Sequence, residues 1–95
     1  MITHIVLFKL KDPTAENIRI TADVLRAMEG RIPELLEIEV GIDELRSERS
    51  YDVSLRTRHA SWEDLDAYQK HPVHDQVLDH MKTVIARAVA VDFAG

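Results

Sequence analysis

The chain has 95 residues, of which 45% are hydrophobic and 31% charged, an ordinary composition for one globular domain spanning residues 1–95. Its formal net charge of −5 argues against partners that need a basic surface, namely nucleic acid and anionic membranes. The absence of cysteine excludes a disulfide scaffold and thiolate chemistry, and no apolar run approaches the ~20 residues of a membrane span, so we expect a cytoplasmic protein.

The first third of the chain predicts a strand followed by a helix. Residues 1–11 contain the run Ile5–Phe8, which is too short for a globular helix and lies in a stretch apolar on both faces. Asp12 and Pro13 then favour a helix start, because aspartate caps free amides and proline suits the first helical position. Apolar residues at helical spacing extend this helix over roughly residues 13–29.

The middle of the chain predicts two further strands. Residues 37–43 alternate apolar and mostly acidic side chains, and residues 51–59 alternate an apolar face with a polar one. The polar face of the strand over residues 51–59 carries Asp52, Arg56 and Arg58, which we expect on the sheet face that joins two copies of the chain. There Arg56 could pair with an acid across the interface, and Asp52 with an arginine or a backbone amide. We expect His59, where this strand ends, to be an exposed turn residue.

The last third predicts a broken helix and a closing strand. Ser61 is a suitable helix cap, and the residue before a proline leaves helical geometry, so the helix should break at His71 and restart at Pro72. The apolar stripe of the second piece continues to Ala88, and residues 88–93 predict a short final strand.

This order of elements predicts an α+β domain with the ferredoxin-like split βαβ arrangement (β-α-β-β-α-β), in which one antiparallel sheet carries its helices on one face. The other sheet face would expose Ile5 and Leu7 on the first strand and Val91 and Phe93 on the last. An apolar patch of this kind marks an interface, and two such sheets stacked about a two-fold axis would cover it. We therefore expect a homodimer formed through the sheet face.

Titratable groups concentrate between Tyr68 and Asp75, around the expected helix break. One interpretation is a neutral imidazole acting as a base beside a phenol that binds a substrate oxygen. A second interpretation takes His71, His74 and Asp75 as metal ligands, but Pro72 separates the two histidines and no third ligand has suitable spacing, so we expect no metal. In a third, the segment is simply a structural joint.

Four segments resemble the stress-responsive dimeric A/B barrel (Dabb) domain family, and together they cover essentially the whole chain. They are His4–Lys11, Ser50–Val53, Ser61–Leu65 with its continuation Tyr68–His74, and Ala90–Phe93. The resemblance implies a ferredoxin-like dimeric α+β barrel. The family includes plant polyketide cyclases that close an aromatic ring by aldol condensation without a cofactor, and its wider superfamily includes small monooxygenases and haem proteins. No residue here is singled out as a haem ligand, and we expect no cofactor.

The resemblance also implies roles for particular positions. The catalytic histidine of the cyclases falls on His74, its tyrosine partner on Tyr68 and a first-strand histidine on His4. A further pocket histidine falls on Val53, and an aromatic pocket wall on the first helix has no counterpart here.

Two functions follow as alternatives. The first is a protein that binds a small hydrophobic molecule, acting as a cofactor-free cyclase or lyase with a His/Tyr pair. The second is a non-catalytic stress-response or ligand-binding dimer with a small or blocked cavity. The expected cavity is lined by Val6, Phe8, Val53 and Leu55, with His4, Tyr68 and His74 converging on it.

Overall fold

The computed structural model describes all residues from Met1 to Gly95 and contains four strands and three helices. In chain order they are β1 (Ile2–Leu10), α1 (Ala15–Arg26), β2 (Glu37–Ile42), β3 (Val53–His59), α2 (Trp62–Lys70), α3 (Pro72–Val84) and β4 (Ile85–Ala94). The strands form one antiparallel sheet in the order β2-β3-β1-β4. The expected ferredoxin-like α+β fold is confirmed. None of the helices is both long and apolar enough to cross a membrane.

The register of the central strand β1 determines which side chains face the helices. His4 lies opposite Thr57 on β3 and opposite Asp92 on β4, so these three residues form a row across three strands. Because side chains alternate between the two faces of a strand, Val6 and Phe8 follow His4 on the same face. This face, covered by the helices, holds the hydrophobic core.

Helix α1 begins two residues later than the Asp12–Pro13 pair suggested. Thr14 is the N-cap, and its side chain accepts a hydrogen bond from the Asn17 amide at 3.1 Å. The backbone carbonyl of Asp12 instead accepts from the Asn17 side chain at 3.0 Å, so Asp12 supports the turn before the helix. Ile18, Ala22 and Leu25 are buried against the sheet, as the helical spacing predicted.

The predicted break at His71 is confirmed. His71 has extended backbone angles (φ −67°, ψ 141°) and separates α2 from α3, with Pro72 as the first residue of α3. The His71 side chain also caps α3, because its Nδ1 accepts from the Val73 amide at 3.1 Å. The joint is therefore held by proline geometry and a local cap together.

The end of α3 differs from the prediction. The helix stops at Val84, and β4 runs over ten residues from Ile85 instead of starting at Ala88. Leu10 pairs with Ile85 and Lys9 with Arg87, so β1 binds β4 along its whole length. Backbone pairing with β1 thus overrides the apolar stripe that favoured a helix. This pairing is a tertiary contact, so the local sequence pattern could not predict it.

The sheet face away from the helices is apolar along β1 and β4, as expected. Leu7, Val91 and Phe93 expose 38%, 62% and 42% of their surface there. The β3 part of the same face is polar, and Arg56 and Arg58 approach Glu37 of β2 at 3.9 and 3.8 Å within the same chain.

Asp52 is buried with partners in its own chain, which corrects the expectation that it lies on the dimerisation face and pairs across the interface. Its Oδ2 accepts a hydrogen bond from the Leu10 amide at 2.7 Å, and its Oδ1 accepts from Arg46 at 2.8 Å. Arg46 adopts a positive φ of 56° in the loop before β3. The carboxylate therefore joins the end of β1 to the loop that leads into β3.

Substituting Asp52→Ala removes the acceptor of a buried backbone amide and leaves Arg46 without its main partner. We expect the free energy of unfolding to fall by about 3 kcal/mol. Asp66→Ala is the control, because Asp66 forms only an exposed helical pair with Lys70 and should cost less than about 0.5 kcal/mol. Urea denaturation measures both variants, and equal losses would contradict the role given to Asp52.

Candidate functional site

A cavity of about 250 Å³ lies between the helix-facing side of the sheet and helices α2 and α3. Its lining is mostly hydrophobic, with ten apolar residues among thirteen. The sheet contributes Val6, Phe8 and Leu55, which the sequence analysis placed there, while Val53 is buried in the core outside the lining. The polar side chains of the lining are those of His4, Gln69 and His74, and Tyr68 adds its phenol ring.

Tyr68 is the central side chain of the site. It is fully buried, and its hydroxyl donates a weak hydrogen bond to Sδ of Met28 at 3.9 Å. Burial raises the pKa of Tyr68 far above its ordinary value, so the phenol stays protonated. Three imidazole rings surround it, those of His4, His59 and His74, with centroid distances of 6.2, 4.7 and 4.8 Å.

His74 meets the Tyr68 ring edge-on across the joint between α2 and α3, at an interplanar angle of 71°. Its Nδ1 is buried and has no hydrogen-bond partner. Burial lowers the pKa of His74, and the opposing effect of the Asp75 carboxylate is smaller. The imidazole is therefore neutral at neutral pH and retains a free lone pair.

His4 is buried and its Nδ1 contacts Oδ1 of Asp92. A carboxylate accepts hydrogen bonds, so Nδ1 of His4 is the donor in this contact. No local sequence pattern pairs these two residues, since they lie 88 positions apart. Only the pairing of β1 with β4 brings them together.

His59 is buried completely, and the prediction of an exposed turn is wrong. Its Nδ1 lies 2.7 Å from the Glu34 carbonyl and its Nε2 lies 2.9 Å from the Thr57 hydroxyl. Burial lowers the pKa of His59, with the hydrogen bond to Glu34 opposing that change. The alternation of side chains along β3 could have predicted this burial, because His59 lies two residues after Thr57 on the helix-facing side.

His71 belongs to the joint, where it caps α3, and it is absent from the cavity lining. The structure contains no group of three or more His, Cys, Asp or Glu side chains placed to hold a metal ion. A larger open groove of about 500 Å³ lies near β2, but it brings no comparable set of imidazole and phenol groups together.

Fold and site together define a ferredoxin-like α+β domain with a small apolar cavity lined by imidazoles and a buried phenol. The profile of the Stress responsive A/B Barrel Domain family matches residues 2–94, and the chain belongs to that family. Comparison with curated protein sequences finds no match.

Several solved structures share this fold along nearly the whole chain. A dimeric ferredoxin-like protein of unknown function from Thermobifida fusca is 30% identical, with a TM-score of 0.87 over 99% of this chain and 90% of that one. A dimeric protein of unknown function from Bacteroides fragilis is 23% identical, with a TM-score of 0.83 over 99% and 95% of the two chains. The hydroxynitrile lyase from Passiflora edulis is 14% identical, with a TM-score of 0.81 over 97% and 90%.

The lowered pKa values of His59 and His74 predict that acid destabilises the fold. In the unfolded chain both rings bind protons near the ordinary value of 6.5, whereas the native rings bind them only at lower pH. The unfolded state therefore takes up more protons below pH 6.5, and the free energy of unfolding falls as pH drops. Denaturation between pH 7.5 and 5 should show this fall, and His74→Gln should reduce it. An unchanged pH dependence in His74→Gln would contradict the assignment to His74.

Proposed function

We propose that the cavity binds a small neutral carbonyl compound and that His74 and Tyr68 act on it without a cofactor, in cyclase-like or lyase-like chemistry. The proposal rests on one observation: two polar groups without good hydrogen-bond partners both lie at the same apolar cavity. These are the buried Nδ1 of His74, which has no partner, and the Tyr68 hydroxyl, which donates to a thioether. Buried polar groups in native proteins are normally satisfied, so such a pair suggests a binding site.

The size and charge of the cavity limit the ligand. A volume of about 250 Å³ lies below the usual range of drug-sized pockets, about 300–1,000 Å³, and suits a compound the size of a monocyclic ketone. The lining contains no lysine or arginine to pair with a carboxylate or phosphate. Asp92, the nearby acid, is already engaged by His4 and offers little to a cationic amine. A neutral, largely apolar ligand with one polar oxygen fits these conditions.

The proposed step is proton removal from the carbon next to the carbonyl group. Neutral His74 takes the proton, and the electron pair of the broken C–H bond moves onto the carbonyl oxygen to give an enolate. The protonated Tyr68 hydroxyl donates a hydrogen bond to that oxygen, where negative charge develops. The enolate carbon then attacks a second carbonyl group, as in an aldol closure, and the resulting alkoxide oxygen takes the proton from His74. Alternatively, the enolate carbon recovers that proton directly.

The hydroxynitrile lyase supports the proposal only as an example of a lyase on this fold, given its 14% identity. The alternative is a non-catalytic stress-response or ligand-binding dimer. The complete burial of Tyr68 and the small cavity favour that alternative, because a substrate must reach the phenol through a narrow space.

We also propose that the protein is a homodimer joined through the apolar half of the open sheet face. Leu7, Val91 and Phe93 form an exposed patch there, which a second copy would remove from water. The Thermobifida fusca and Bacteroides fragilis proteins with this fold are described as dimeric.

Proton exchange tests the catalytic proposal directly. Cyclohexanone in D₂O should lose its α-protons faster with the wild-type protein, followed by ¹H NMR. His74→Gln should reduce the catalysed rate about 100-fold or more, as expected for loss of a general base. Tyr68→Phe should also reduce it, by removing the donor to the enolate oxygen.

His80→Gln is the matched control, because His80 lies on the same helix outside the cavity lining and should keep the wild-type rate. A thermal shift on adding cyclohexanone, with no exchange above buffer, would support the non-catalytic alternative. If no small neutral ketone gives either a thermal shift or proton exchange, both forms of the proposal are excluded.

The dimer is tested by placing charge in the patch. Val91→Glu buries a carboxylate if the sheet faces meet, so sedimentation at micromolar concentration should change from a dimer to a species of 10.9 kDa. Leu45→Glu is the control, because Leu45 is an exposed apolar residue in the loop between β2 and β3. A wild-type protein that sediments only as a monomer would refute the proposal.

A further inference from the structure

Met28 accepts the hydrogen bond of Tyr68 and is also part of the cavity wall. Its Sδ lies 3.9 Å from the phenol oxygen, and both side chains are fully buried. A thioether is a weaker acceptor than the carbonyl oxygen of a ketone. The phenol has a single proton to donate, so a ligand oxygen that accepts this hydrogen bond replaces Sδ of Met28 as the partner of Tyr68.

A second, smaller space lies next to the cavity, between α1 and α3, and we call it the α1–α3 recess. It holds about 170 Å³, and its lining includes Val73 of α3. Met28 and Val77 line both the recess and the cavity, so these two side chains separate the two spaces. The recess is several times larger than the roughly 30 Å³ of a water molecule in the liquid, so the terminal S–CH₃ group of a methionine fits inside it.

Of the two separating residues, Met28 has the more mobile side chain. It is unbranched with several rotatable bonds, whereas Val77 is β-branched and lies within α3, where its rotamer is restricted. The backbone of Met28 is held in the turn after α1, because its amide donates to the Leu25 carbonyl at 3.2 Å and its carbonyl accepts from the Arg31 amide at 3.1 Å. A change in the Met28 rotamer therefore does not require the backbone to move.

We propose that Met28 is the specificity-determining residue of the cavity. When a ketone binds, its oxygen accepts the hydrogen bond of Tyr68 in place of Sδ, and the end of the Met28 side chain turns into the α1–α3 recess. The space that the side chain leaves becomes part of the ligand site, so Met28 sets the largest ketone that reaches Tyr68. This inference rests on the proposed function, which supplies the neutral ketone as ligand.

The position of the Met28 methyl group tests the inference on the unaltered protein. The chain has three methionines, so carbon-13 methyl labelling of methionine gives three signals, and Met28→Leu identifies that of Met28. Without ligand, this methyl group should show a nuclear Overhauser effect to the Tyr68 ring. With saturating cyclohexanone, that effect should be lost and one to the Val73 methyl groups should appear. An effect to Tyr68 that persists in the cyclohexanone-bound protein would overturn the proposal.

Filling the recess tests the same movement by affinity. Val73→Phe occupies the recess without altering the cavity lining, so Met28 has no place to turn and cyclohexanone should bind about 10-fold more weakly. Met28→Ala added to Val73→Phe removes the side chain that must move and should restore the affinity, whereas a general loss of packing would not be reversed by a further truncation. Val84→Phe is the matched control, because Val84 lies on α3 outside both linings and should leave the affinity unchanged. Equal affinities in Val73→Phe and the wild-type protein would contradict the movement.

Met28→Ala alone should change the preference between ligands. Because the variant enlarges the site, the affinity for propylcyclohexanone relative to cyclohexanone should rise about 10-fold or more. An unchanged ratio, in a variant with native circular dichroism, would overturn the role given to Met28.

The outcomes also separate this inference from the proposed function. Binding with the expected movement of Met28, but without proton exchange, counts against the catalytic function alone. If no ketone binds the wild-type protein, binding to Met28→Ala supports Met28 as the barrier. Binding to neither protein overturns both proposals.

Discussion

The site depends on the register with which β1 pairs with both of its neighbours. That register aligns Thr57, His4 and Asp92 across three strands beneath Tyr68. A slip of one residue would turn His4 to the open face of the sheet and replace it by an aliphatic or hydroxyl side chain. The contact between Asp52 and the Leu10 amide fixes the far end of the same strand, where the ladder with β3 ends.

Burial prepares the two proposed reacting groups in opposite ways. Removal from water disfavours every charged form, so it lowers the pKa of His74 and raises that of Tyr68. A free base and a protonated donor therefore coexist at neutral pH in contact with each other. No metal ion or fixed charge is required for this difference, because the apolar surroundings of both rings are its main cause.

Much of the fold was predictable because its signals are local. Strand and helix periods, the proline after His71 and the apolar open face can each be read within a few residues. His59, Asp52 and the end of α3 were mispredicted for a common reason, since each depends on a partner elsewhere in the chain. His59 binds Glu34, Asp52 binds Leu10, and the backbone beyond Val84 pairs with β1.

The cavity lining was also predicted only in part, because its extent depends on contacts between distant elements. Val6, Phe8 and Leu55 line the cavity as predicted, whereas Val53, which was also predicted to line it, lies outside. All four belong to one alternating face, and periodicity alone does not tell how far a cavity extends along that face. The depth of the cavity depends on how α2 and α3 rest on the sheet.

Because the joint at His71 and Pro72 keeps Tyr68 and His74 close in sequence, the two sides of the cavity form at different stages of folding. Tyr68 and His74 are six residues apart, so the tyrosine–histidine pair can form with a short loop closure once the two helices exist. The contact between His4 and Asp92 spans 88 residues and requires the first and last strands to meet. The Tyr68–His74 pair on the helices can therefore form early, whereas the His4–Asp92 contact on the sheet forms only after the last strand has been synthesised and has docked.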